Sequence, residues 1–245
     1  MSRIKKLSFF FLILIIGDTL HSSEIINPVP ESFKQYRLFS MGDHGELYAA
    51  PSISFNETNT GFPSSYIRTL SFEYQKVMYS ISFSLGASED PHFVFSFFDN
   101  IENRWKEISV INGSRIYLGF NGQIYSEGSI NNYFNVRRKF LLKNKTIEEV
   151  MQPFLLADID CKTHGKTHLK TKPDNRRETI AILPDKSSVK ILMAQYFSQD
   201  YDIHMDKGIW FLVSTPFGLV GWVKTEPGYL SRPGKPLSCI RFVGD

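Results

Sequence analysis

Between Tyr66 and Leu142 the sequence repeats one device: a short run with apolar side chains at alternate positions, then a turn. Period two is the period of a strand, whose successive side chains point to opposite faces. In Lys76 to Leu85, the residues Val77, Tyr79, Ile81, Phe83 and Leu85 fall on one face. Tyr66 to Tyr74, His92 to Phe98, "RWKEISVI", "RIYLGF" and Tyr133 to Leu142 read the same way. Asn112-Gly113 and Asn121-Gly122 sit between such runs, and Asn-Gly predicts a tight hairpin turn. An earlier strand, Gly45 to Ser52, ends at a proline, and Ser54 to Ser65 is a polar surface loop. The 21 phenylalanines and 11 tyrosines favour strands over helices. The expectation for residues 35–143 is therefore a mainly β domain, either a sandwich or a distorted barrel.

After Leu142 the period changes. Thr146 with Glu149 three residues later has the form of a capping box, in which the two side chains satisfy each other's free amides. Ile147, Val150, Met151, Phe154 and Leu155 then recur at helical spacing, with Pro153 ending or kinking the run. The expectation is one helix over residues 144–158. It would bracket the first β domain and a second one at 161–245.

The second domain lies between two cysteines, Cys161 and Cys239, the only two in the chain. In an exported protein they predict one bridge stapling the domain's ends, and in a reducing compartment two free thiols. "TIAIL", "SVKILMAQYF", "WFLVST" and "LVGWVK" are its strands, separated by Pro184-Asp185, a polar insert from Ser198 to Lys207, and Pro216-Phe217-Gly218.

These elements resemble the bacterial SH3-like family. The matching pieces are Lys170 to Pro173, Leu183 to Lys186 with Val189 to Leu192, Trp210 to Val213, Gly218, and Gly221-Trp222-Val223. They cover about a third of the chain, and the Trp…Gly…Gly-Trp-Val portion is the most specific. Lys186 stands where the family has a glycine, and the Ser198 to Lys207 insert is longer than the family's. The resemblance implies a small barrel of short strands, which removes exposed edges. Gly221 would allow close backbone approach, and Trp222 would be packed. Trp210, Tyr196 and Tyr229 are the candidate ligand-binding aromatics beside the loops.

The start of the chain reads as a leader. "MSRIKK" is basic, an apolar run too short for a membrane span follows, and small polar residues come at Ser22 and Ser23. Residues 1–23 are expected to be a signal peptide, and no later segment of the sequence reads as a second span. The net charge is +3; removing Arg3, Lys5, Lys6 and Asp18 leaves about +1. That gives no broad positive field for nucleic acid. Cys161-x-x-His164-x-x-x-His168 has donor spacing but only three donors, one of them a candidate for the disulfide. No G-x-S-x-G, H-E-x-x-H or P-loop is present. The expected function is an exported, noncatalytic envelope protein, periplasmic or extracellular, without metal or cofactor. Its ligand would be a cell-wall peptide or a partner protein. The alternatives are a wall hydrolase with an unrecognised N-terminal domain, and a secreted effector or inhibitor.

Overall fold

Alternation sorts the apolar residues of the strands between Arg37 and Glu149 onto facing sheets. In the computed structural model, which describes residues 29–58, 62–63, 65–86, 90–129, 132–196, 208–225 and 236–240, these sheets form a sandwich. One has five strands in the order β3 (Asn56–Glu57), β4 (Arg68–Tyr74), β5 (Val77–Leu85), β6 (Pro91–Asp99), β7 (Arg104–Asn112), a plain antiparallel meander. The other has six, ordered β1 (Arg37–Gly42), β2 (Gly45–Ala49), β8 (Arg115–Leu118), β9 (Gln123–Gly128), β10 (Val136–Lys143), β11 (Thr146–Glu149). Their inner faces share one core, with Leu47, Ile116, Ile124 and Phe140 from one sheet and Phe72, Ile81, Phe83, Phe93 and Phe95 from the other. Within it β2 and β8 run parallel, Glu46 opposite Arg115 and Ala49 opposite Leu118.

Asn121-Gly122 turns a hairpin between β8 and β9, with Gly122 at φ 75°. Asn112-Gly113 does not. Strands β7 and β8 belong to different sheets, so this turn carries the chain across the sandwich.

The predicted helix over 144–158 is absent, and no α-helix occurs among the described residues; a single 3-10 turn spans Glu31–Phe33. Asn144 and Lys145 take φ of 51° and 61° and close a two-residue hairpin, with Lys143 opposite Thr146. Thr146 Oγ1 donates to the Lys143 carbonyl at 2.7 Å, and Glu149 pairs with buried Arg138 at 2.8 Å. Each half of the supposed capping box therefore has a strand partner. Pro153 separates β11 from β12 (Phe154–Lys162), which belongs to the next sheet.

That third sheet has six strands, ordered β12, β15 (Ser188–Gln195), β16 (Trp210–Ser214), β17 (Val220–Lys224), β13 (Thr167–Lys170), β14 (Thr179–Leu183). Residues from its edge and central strands meet in one second core: Leu155, Leu169, Ile191, Ala194, Phe211, Val213 and Val223. Phe134 and Val136 of the sandwich close one side of it. Cys161 and Cys239 form a disulfide with Cα atoms 5.5 Å apart, across 78 residues. It pins the segment 236–240, whose Leu237 and Ile240 are buried in the same core. Residues 1–23, Tyr229 and the Ser198 to Lys207 insert lie outside the described residues.

Candidate binding face

One side chain from each strand of the third sheet lines up in a single cross-strand row. Leu156 stands opposite Met193, Met193 opposite Leu212, and Leu212 opposite Trp222. Trp222 stands opposite Lys170, and Lys170 opposite Thr179. Their neighbours Leu155, Ala194, Phe211, Val223 and Leu169 point the other way and fill the core. The row therefore lies on the outer face, and it is apolar over four strands. Leu156 is 56% exposed and Phe154, beside it, 43%. The Phe154 ring tilts against Trp222, with centroids 5.8 Å apart. Val220, Leu219 and Phe217 extend exposed apolar surface along β17 and its turn.

The two tryptophans have the opposite of their expected exposures. Trp222, expected to be packed, is half-buried in this row. Trp210, expected beside the loops, is 7% exposed, and the Lys224 ammonium lies 5.8 Å from its ring centroid. Tyr196 is half-buried and packs against the second core, so it is not brought to Trp222. Gly221 explains the placement of Trp222. A Cβ there would lie 3.0 Å from the Leu169 Cβ and 2.8 Å from the Ile180 Cδ1, so glycine spares β17 and β13 a tight contact.

Phe154 was read as part of a helical stripe, and Leu156, Met193 and Leu212 were not singled out, because the expected helix ran over Phe154 and Leu156. The signal was present in "ALA-Asp-Ile-Asp-Cys" form: Ala157, Ile159 and Cys161 alternate with Asp158 and Asp160, a strand pattern.

A second built cluster covers the outer face of the six-stranded sandwich sheet. Glu46, Arg115, Glu127 and Arg137 stand directly opposite one another across four strands, with alternating charge. Arg115 binds Glu46 at 2.6 Å and Glu127 at 2.9 Å, and Arg137 binds Glu127 at 3.1 Å. The Tyr117 hydroxyl donates to Glu127 at 2.9 Å; burial first, and then the Glu127 charge, push this phenol well above its ordinary pKa. The adjacent row is Tyr48, Tyr117, Tyr125 and Lys139. Phe33 stacks on Tyr117 at 4.3 Å and roofs it. Glu127 also borders a cleft of about 500 Å³ that reaches Asp158 and Asp160.

No family model, curated protein or solved structure matches this chain.

Among the described residues no group of three or more His, Cys, Asp or Glu could hold a metal, and Cys161 is committed to the disulfide. No helix among them is long and apolar enough to cross a membrane.

Proposed function

We propose that this chain is an exported, noncatalytic binding protein of the bacterial envelope, which docks a cell-wall peptide or a partner protein on the outer face of its third sheet. The apolar row around Trp222 carries the reading. A half-buried tryptophan on a rigid strand, flanked by Leu156, Met193 and Leu212, has the makeup of an interface anchor. Export is supported by the Cys161–Cys239 disulfide, a bond that persists in oxidising compartments, together with the signal-like residues 1–23. The SH3-like reading is supported by the meander β15–β16–β17 with β13 alongside β17, and by Gly221-Trp222-Val223 on that strand.

The test compares retention of the wild-type chain and Trp222→Ala on purified cell wall and on immobilised envelope proteins. Retention that falls about tenfold or more in the variant, with an unchanged melting profile, is the expected result. Equal retention of both forms would move the site off this face.

A further inference from the structure

Among the described residues six strands form the edges of the three sheets, and five of them carry devices that discourage pairing with another chain. β1 begins with Arg37 and has a register shift before Gly42. β3 is two residues long and includes Glu57. β7 carries Arg104, Lys106 and Glu107 and bulges at Ile108. β11 is four residues long and ends in Glu148 and Glu149. β12 is broken at Asp158, which takes φ 54°, and carries Asp160 and Lys162.

β14 is the exception among the described residues. Its five residues, Thr179–Leu183, read TIAIL, with no charge, no proline and no glycine. It pairs with β13 on one side and with no described strand on the other. Ile180 and Ile182 are 46% and 49% exposed. A free, uncharged, β-branched edge is a template for an added strand.

The surroundings of this edge select the partner's charge. From Lys162 to Lys186 seven Lys and Arg accompany three acids, a net of +4, in a chain whose whole net charge is +3. Two of the three acids are engaged locally: Asp174 pairs with Arg177 at 3.6 Å, and Asp185 accepts the Gly165 amide at 2.7 Å. Arg176 and Arg177 precede β14 with Glu178 between, and Lys186 follows it after Asp185, so each end carries a basic group beside an acid within a segment that is net positive.

The geometry points to β14 as a strand-addition site for an extended acidic peptide, with aliphatic side chains against Ile180 and Ile182 and carboxylates at the flanks. The inference rests on the reading of this sheet as a binding surface and gives that partner its chemistry. Main-chain hydrogen bonds along the edge would supply affinity, and the basic flanks would supply selection.

The probe is a blocked Val-Glu repeat peptide about eight residues long, fluorescently labelled, with a Val-Lys repeat of the same length as control. At low salt the Val-Glu peptide should bind the wild-type chain at least about tenfold tighter than the control, and the gap should shrink at high salt. N-methylation of alternate peptide amides should abolish binding in one of the two phases, because only one phase faces the edge. Amide exchange should slow within residues 179–183 on binding. Arg176→Gln with Arg177→Gln, and separately Ile180→Thr with Ile182→Thr, should each weaken binding. Absence of binding, or binding that survives N-methylation in both phases, overturns the inference. So does a dimer in sedimentation that Ile182→Lys dissolves, which would assign the edge to a second copy. If the peptide fails while Trp222-dependent retention of envelope material persists, strand addition falls alone; if both fail, the binding reading falls with it.

Discussion

Arg115, Arg137 and Tyr117 converge on Glu127, so neutralising Glu127 takes a partner from all three and leaves Arg115 paired with Glu46 alone. The Glu127 side chain is 3% exposed and that of Arg115 8%. Glu127→Gln should therefore destabilise the sandwich by about 3 kcal/mol in urea unfolding, because the buried Arg115 keeps only the more exposed Glu46 as its ionic partner. A cost below about 1 kcal/mol would mean that water reaches the row and screens it. The tryptophans give an opposed pair of expectations. Trp210→Ala should cost about 3–5 kcal/mol, as for any buried aromatic, while Trp222→Ala should cost far less stability and lower affinity instead. Asp99 is set apart by its turn. The Lys106 ammonium at 2.6 Å, and then the Ile101 amide at 2.9 Å, hold its carboxyl down to about 2. The ionised form is the one the fold favours. Its contribution is complete above the ordinary carboxylate range and is lost as pH falls through about 2. A carboxylate titration by NMR should find that midpoint, and Lys106→Met should raise it. The resemblance pointed to Gly221 and Trp222 as structural, yet which tryptophan faces outward depends on cross-strand neighbours that no local spacing encodes.

At the scale of elements, hairpins joined by two-residue turns meet at positive φ without glycine. Gln75 and Lys76 take φ of 51° and 63° between β4 and β5. Left-handed backbone costs an ordinary residue roughly 1–2 kcal/mol. Gln75→Asn with Lys76→Gly should raise stability by about 1 kcal/mol, read as a higher urea midpoint at unchanged slope. A loss of stability would show that the native side chains contribute more than the turn strain removes. Such turns explain what was legible here. The runs around Tyr79 and Phe95 announced themselves by alternation. β11 did not, because Asn144-Lys145 lacks the glycine that signals a hairpin. Four residues of strand followed by Pro153 and Phe154 also imitate a helical stripe. Asn112-Gly113 had the right turn chemistry but the wrong partner strand, since a turn sequence fixes local geometry and not the sheet that each arm joins.

The described residues form two apolar cores, and only the second contains the disulfide. Closing a loop of 78 residues restricts the unfolded chain by about 4 kcal/mol in the chain-entropy model. Reduction, or Cys161→Ser with Cys239→Ser, should lower the unfolding midpoint of the third sheet and release the segment 236–240. The sandwich should keep its midpoint, so one transition should split into two. A single transition displaced as a unit would show that Phe134 and Val136 couple the cores tightly. The β class was legible on either side of residues 144–158, where the reading expected a helix and the chain forms strands. The partition into three sheets was not, because it depends on pairings between residues far apart in sequence.

The parallel contact of β2 with β8 sets an order of events. The whole five-stranded meander lies between them in sequence. Glu46 cannot reach Arg115 until the intervening chain has folded back on itself, and the loop entropy of that return must be met before the pair forms. The meander closes through neighbouring hairpins, each available early. In refolding, amides of β5 and β6 should gain protection from exchange before those of β2, whose arrival completes the sheet.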